Sequence, residues 1–194
     1  MGRTYGRGFL IALRRLIREN RGISAVEFAL LVPIMVTLFV GGTEITQGIT
    51  IKRKTTIATR AIADLVAQTS SISNTDMTAI FAASSAVLAP YSSANLKLVV
   101  SSIRIAADGA STVVWSDGYN GGTARTVGET VTLPTGLNAF TNTTLIWTEA
   151  EYRYTPTIGY VLSGPIDLKD KLYLRPRLVS TVCRINGAQK YGCT

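Results

Sequence analysis

From Phe28 to Thr43 the chain runs without a charge, closed by Glu27 on one side and Glu44 on the other. Taken from Ile23 to Thr43 the run is about 31 Å long as an α-helix, the thickness of a bilayer's hydrocarbon core. Its apolar residues go all round the helix, as a lipid-buried segment requires. Pro33 falls inside it and is expected to kink the helix or free a carbonyl. Gly41-Gly42 is a second weak point near the outer end, and Glu44 reads as a marker of the outer membrane boundary. A secretory signal would have a shorter apolar region followed by a small-residue cut site, and no Ala-x-Ala follows here. The run therefore reads as a transmembrane helix.

Charge placement supplies an orientation. Arg3, Arg7, Arg14, Arg15, Arg18 and Arg21 precede Gly22 against Glu19 alone, so this leader carries +5 of the formal +8. The rest of the chain holds 14 basic and 11 acidic residues, or +3. Six leader arginines outweigh Lys52, Arg53, Lys54 and Arg60 beyond the span, which puts the N-terminus in the cytoplasm. Phe9–Arg18 is expected either as a short amphipathic helix on an anionic membrane surface or as a leader that is removed. No basic patch interleaved with aromatics follows, so nucleic acid is not an expected partner. Histidine is absent, which removes the commonest general base and metal ligand. Asp117, Glu149, Glu151, Asp167 and Asp170 fall in no metal-binding loop pattern, and no phosphate loop, nucleophile elbow or Cys-x-x-Cys occurs. The chain is expected to be no enzyme and to need no metal or cofactor.

Beyond the span, Ile45, Ile49, Ala58, Ala61, Ile62, Leu65 and Val66 recur mostly at spacings of three or four, which extends the helix to about Gln68. Ser70–Thr75 breaks it. Asn74 or Thr75 is expected to cap a second helix through Met77, Ile80, Phe81, Val87 and Leu88, ended by Pro90. Strands are expected at Leu96–Ala106, Thr112–Ser116, Val127–Leu133, Thr143–Tyr154 and, interrupted by Pro176, Asp170–Arg184. Asp108-Gly109 reads as a turn and Asp117–Gly122 as a loop. The fold class is α+β: a long N-terminal transmembrane helix continuing into a helix packed on an antiparallel sheet, pilin-like. Three regions follow: leader 1–22, transmembrane helix 23–43, and α+β domain 44–194. Cys183 and Cys193 are expected to form one disulfide in an oxidising compartment, which agrees with a C-terminal domain outside the cytoplasm.

A glycine before a neutral helix, with glutamate fifth after it, is the pattern of a type IV pilin-like cleavage site; here these are Gly22, Ile23 and Glu27. Gly22-x-x-Ala25-Val26-Glu27-Phe28-Ala29-Leu30 followed by Pro33 resembles the signature of TadE-like proteins, pseudopilins or minor pilins of the tight-adherence (Flp) pilus system. Trp115-Ser116-Asp117, Tyr152-x-Tyr154-Thr155-Pro156 and Tyr173-Leu174-Arg175-Pro176-Arg177 resemble the same family more loosely. The resemblance implies a single-pass protein of the bacterial inner membrane with a periplasmic domain, processed by a prepilin peptidase between Gly22 and Ile23. Its partners would be that peptidase, pilin and pilus-assembly subunits, and membrane lipid. Glu27 then reads as an assembly carboxylate for the new amine of a neighbouring Ile23, against a plainer reading as an interfacial glutamate paired within its own helix. Other functions remain open: a docking factor that keeps its leader, or an adhesive module using Trp115, Tyr119, Trp147, Tyr152, Tyr154 and Tyr160. Exposed tryptophans would favour the last, whereas packing is the commoner role.

Overall fold

The computed structural model describes residues 21–156, 158, 159 and 163–193. The expected leader helix at Phe9–Arg18 and Tyr160 lie outside them. Helix α1, Arg21–Ala67, is unbroken through Pro33 and through Gly41-Gly42. Strand β1 (Ser71–Ile72), helix α2 (Asn74–Leu88), and strands β2 (Leu96–Ile105), β3 (Ser111–Tyr119), β4 (Thr143–Tyr154), β5 (Ile166–Leu174), β6 (Cys183–Asn186) and β7 (Gln189–Tyr191) follow. The main sheet is antiparallel in the order β3-β2-β4-β5; a small second sheet has the order β1-β6-β7. This is the expected α+β class, with α1 and α2 packed together and α1 against β4 and β5.

Several expectations are corrected. The cap of α2 is Ser73, not Asn74 or Thr75. Ser73 Oγ accepts from the Asp76 N–H while the Asp76 carboxylate accepts from the Ser73 N–H and Oγ–H, so two orphan donors are met reciprocally. Those bonds hold the Asp76 carboxyl below its ordinary pKa. Strand β3 runs on to Tyr119 through residues expected as loop, and the turn comes at Asn120-Gly121, both with positive φ. Val127–Leu133 is no strand; only an isolated Thr112–Thr130 bridge forms. Asp170–Arg184 divides between two sheets: Pro176 follows the end of β5, and the chain crosses to pair β6 in parallel with β1. Of the expected helix stripe, Ala58, Ile62 and Val66 are buried, but Ile45, Ile49 and Leu65 are exposed. Thr55 and Thr59 take buried positions, their hydroxyls donating to Ile51 O and Thr55 O one turn back.

Strand β4 records how the sheet is covered. Its inner series Ile146, Thr148, Ala150, Tyr152 and Tyr154 is buried throughout. The outer series changes from Leu145 and Trp147, both buried, to Glu149, Glu151 and Arg153. The first half therefore needs cover on both faces, supplied on the outer side by Val131, Leu133 and Leu137 from the segment between β3 and β4. The inner core gathers Ile51, Ile62, Val66, Phe81, Leu88, Leu98, Val100, Trp115 and Ile146.

The small sheet is fastened to the large one by Arg184, only 5% exposed. Its guanidinium spans Asp117 through two bonds (2.7 and 3.0 Å) and also donates to Asn74 Oδ1, Ile72 O and Ile185 O. Trp115 Nε1 donates to Val182 O at 2.8 Å beside it.

Candidate functional site

Along the N-terminal part of α1, none of residues 22–40 is buried. A Cβ placed on Gly22 would meet nothing within 4 Å. Ile23, Val26, Phe28, Leu30 and Leu31 are all exposed, as are Ile34, Met35, Leu38 and Phe39 further along. Such a surface is stable only against lipid or another apolar helix. Glu27 stands exposed among them and has no partner among the described residues. Ile23 and Glu27 share a helix face, one turn apart. Thr37, Thr43, Thr46 and Thr50 each donate to a carbonyl three or four residues back, so these hydroxyls are satisfied without water. The first of those carbonyls is that of Pro33.

The far end of the apolar run is different. Glu27 and Glu44 are about 25 Å apart along the helix and bracket the run, but Glu44 is only 2% exposed. The Gly159 N–H donates to its Oε1 at 2.6 Å, and the Tyr154 hydroxyl donates to its backbone carbonyl at 3.1 Å. A Cβ placed on Gly48, one turn on, would stand 3.4 Å from the Tyr154 ring, an ordinary contact, so the ring lies close over this turn of α1. Burial, then Glu44 and Tyr91, push the Tyr154 phenol above its ordinary pKa. Glu44 is thus an anchor point for the domain, a role its position in the sequence does not reveal. The signal available was Pro156 and Gly159 beside an uncharged segment, but nothing local pairs them with residue 44.

The anchor also aligns the sheet with the helix. From Glu44 to Lys52 is about 12 Å along α1, and from Ile166 to Asp170 about 13 Å along β5. Lys52 accordingly reaches Asp170 (3.2 Å) and the Lys169 carbonyl. Further up, Arg177 meets Asp64, and the Arg177 N–H donates to Ala67 O.

The remaining candidates resolve into packing and pairing. Cys183 and Cys193 are joined, tying β6 to the residue after Gly192. Trp115 and Trp147 are 1% and 9% exposed, and Tyr152 and Tyr154 are buried, so these rings do not form an open contact surface. Trp147 stacks on Tyr173 and carries the Arg125 guanidinium 3.7 Å from its ring centre. Arg125 also pairs with Glu149, Lys97 and Lys169 with Glu151, and Arg184 with Asp117. Hydrogen bonds and neighbouring lysines hold the Glu151 carboxyl below its ordinary pKa, Lys169 acting most strongly. Among the described residues no cluster of three or more His, Cys, Asp or Glu is arranged to hold a metal.

The apolar helix with its one carboxylate near the start matches a known family over part of the chain: the model of the TadE-like protein family aligns with residues 22–64. The chain carries a TadE-like N-terminal stretch. No curated protein and no solved structure matches the chain. The match opens at Gly22 and ends at Asp64, covering the apolar run and its continuation along the sheet, and leaving out the sheet itself. Among the described residues one helix is long and apolar enough to cross a membrane, and the family match lies along it.

Proposed function

We propose that this chain is a membrane-anchored pseudopilin or minor pilin of a tight-adherence pilus, with its N-terminus cytoplasmic and its α+β domain in the periplasm. The observation that carries this reading is Glu27, exposed and without a partner among the described residues, near the start of a helix whose residues 28–43 carry no charge. A charge near the helix start costs up to a few kcal/mol in hydrocarbon, depending on depth. That cost is offset if a cation arrives from another subunit. Cleavage after Gly22 by a prepilin peptidase supplies one, the amine of Ile23. Glu27 of one copy then pairs with the amine of a neighbour and sets the axial register of the two helices. The lone disulfide agrees with an oxidising compartment for the domain.

The test is N-terminal sequencing of the chain extracted from membranes of cells with an active prepilin peptidase. The expected mature residue is Ile23. A mature protein that still begins near Met1 would replace this reading with that of an uncleaved docking factor in the pilus machinery.

A further inference from the structure

The loop that follows β4 does more than connect it to β5. We propose that the turn at Ile158-Gly159 rests in the headgroup layer of the outer face of the membrane, as a second membrane contact beside the helix. The inference rests on the reading of α1 as a span.

The argument begins at Glu44, the first charge after the apolar run. With Ile23–Thr43 filling about 30 Å of hydrocarbon, Glu44 lies at the boundary, in the headgroup layer. Gly159 is bonded directly to its carboxylate at 2.6 Å. The turn is held there by construction: Pro156 follows the end of β4, Tyr154 is fixed by its hydroxyl on Glu44 O, and Gly159 adopts φ 69°, a conformation that suits glycine. Whatever depth Glu44 has, Gly159 shares within a few ångströms.

The chemistry of the turn suits that depth. Ile158 is 61% exposed, although it neighbours a buried anchor. Residues 155–165 include no charged side chain, whereas Arg153 and Asp167 stand on either side. Ile166, paired with Tyr154 at this end of the sheet, is also exposed. The opposite end of the domain provides the contrast. Arg177 bonds to Ala67 O, about 35 Å along α1 from Glu44. Exposed Leu178 beside it therefore faces water far from any membrane.

A second contact has a mechanical consequence. The helix leaves the bilayer through Gly41-Gly42, and glycine weakens a helix relative to alanine. A domain held at two points tilts less about that exit than one held by the helix alone.

The experiment uses the full chain in vesicles of phosphatidylethanolamine and phosphatidylglycerol. Single nitroxide labels are placed through Ile158→Cys, Leu38→Cys and Leu178→Cys, the native disulfide being left intact. Power saturation then compares access to oxygen, which concentrates in lipid, with access to a water-soluble nickel complex. Position 158 is expected to favour oxygen over nickel relative to position 178, with position 38 favouring it most. A label at 158 that behaves like the one at 178, or that neither reagent reaches, overturns the proposal while leaving the span intact. A label at 38 that behaves like the one at 178 overturns the span itself and the proposal with it.

Discussion

Arg184→Met is expected to loosen the small sheet from the large one and to destabilise the domain by about 3 kcal/mol. The side chain is 5% exposed and makes two bonds to Asp117 plus one each to Asn74, Ile72 and Ile185. Breaking a buried pair from one side typically costs about 3–5 kcal/mol, because the partner charge is stranded. Asp117 keeps 21% of its side-chain exposure, so water recovers part of its solvation and the lower end applies. For a chain of this size that corresponds to a fall in Tm of roughly 6–12 °C. The assay is thermal unfolding of the full chain in detergent, followed by tryptophan emission. Trp115 reports directly, since its indole N–H bonds to Val182 O just before β6. The paired change Asp117→Asn with Arg184→Met should cost less than the sum of the two single changes, since it leaves no stranded charge. A fall below about 2 °C for Arg184→Met, or strict additivity in the pair, would refute the account of Arg184 as a charged fastener.

Gly22→Leu is expected to leave the longer form of the protein in membranes, read by N-terminal sequencing and intact mass. Glu27→Ala and Glu27→Gln should each insert normally yet abolish co-purification with pilus subunits, a charge-assisted contact being worth about 1–3 kcal/mol; normal piliation by both at matched levels would leave Glu27 without an assembly role. Reducing the Cys183–Cys193 bridge, which closes a separation of 10 residues, should lower stability by about 2–3 kcal/mol in chain-entropy terms, measured as a drop in Tm with and without reductant. The raised pKa of Tyr154 favours the protonated folded state, so its contribution is intact below the ordinary tyrosine pKa of about 10 and is lost as pH rises through the higher folded value. Tyr154→Phe should flatten that alkaline fall in denaturant titrations, and an unchanged slope would remove Tyr154 as its source.

Features set by the composition of contiguous residues can be read directly from this chain. A charge-free run between Glu27 and Glu44 specifies a membrane-length helix, because lipid offers no compensation for charge along it. The alternation of Thr143–Tyr154 specifies a strand, and its observed bounds agree with the reading. Gly22, Ile23 and Glu27 are legible as a local pattern. Features that depend on which distant segments meet emerge only in the folded chain. Ser71-Ile72 is too short to read as a strand, and exists only because Cys183 and Arg184 pair with it. Val127–Leu133 has strand composition, but it serves instead as apolar cover, with Val131 and Leu133 over the outer face of β4. Glu44 looks like a boundary marker from its neighbours, and becomes an anchor only when a glycine 115 residues away supplies its N–H. Hydrophobic periodicity records how much surface a segment must bury, and a hydrogen bond between remote residues leaves no such periodic trace in either segment.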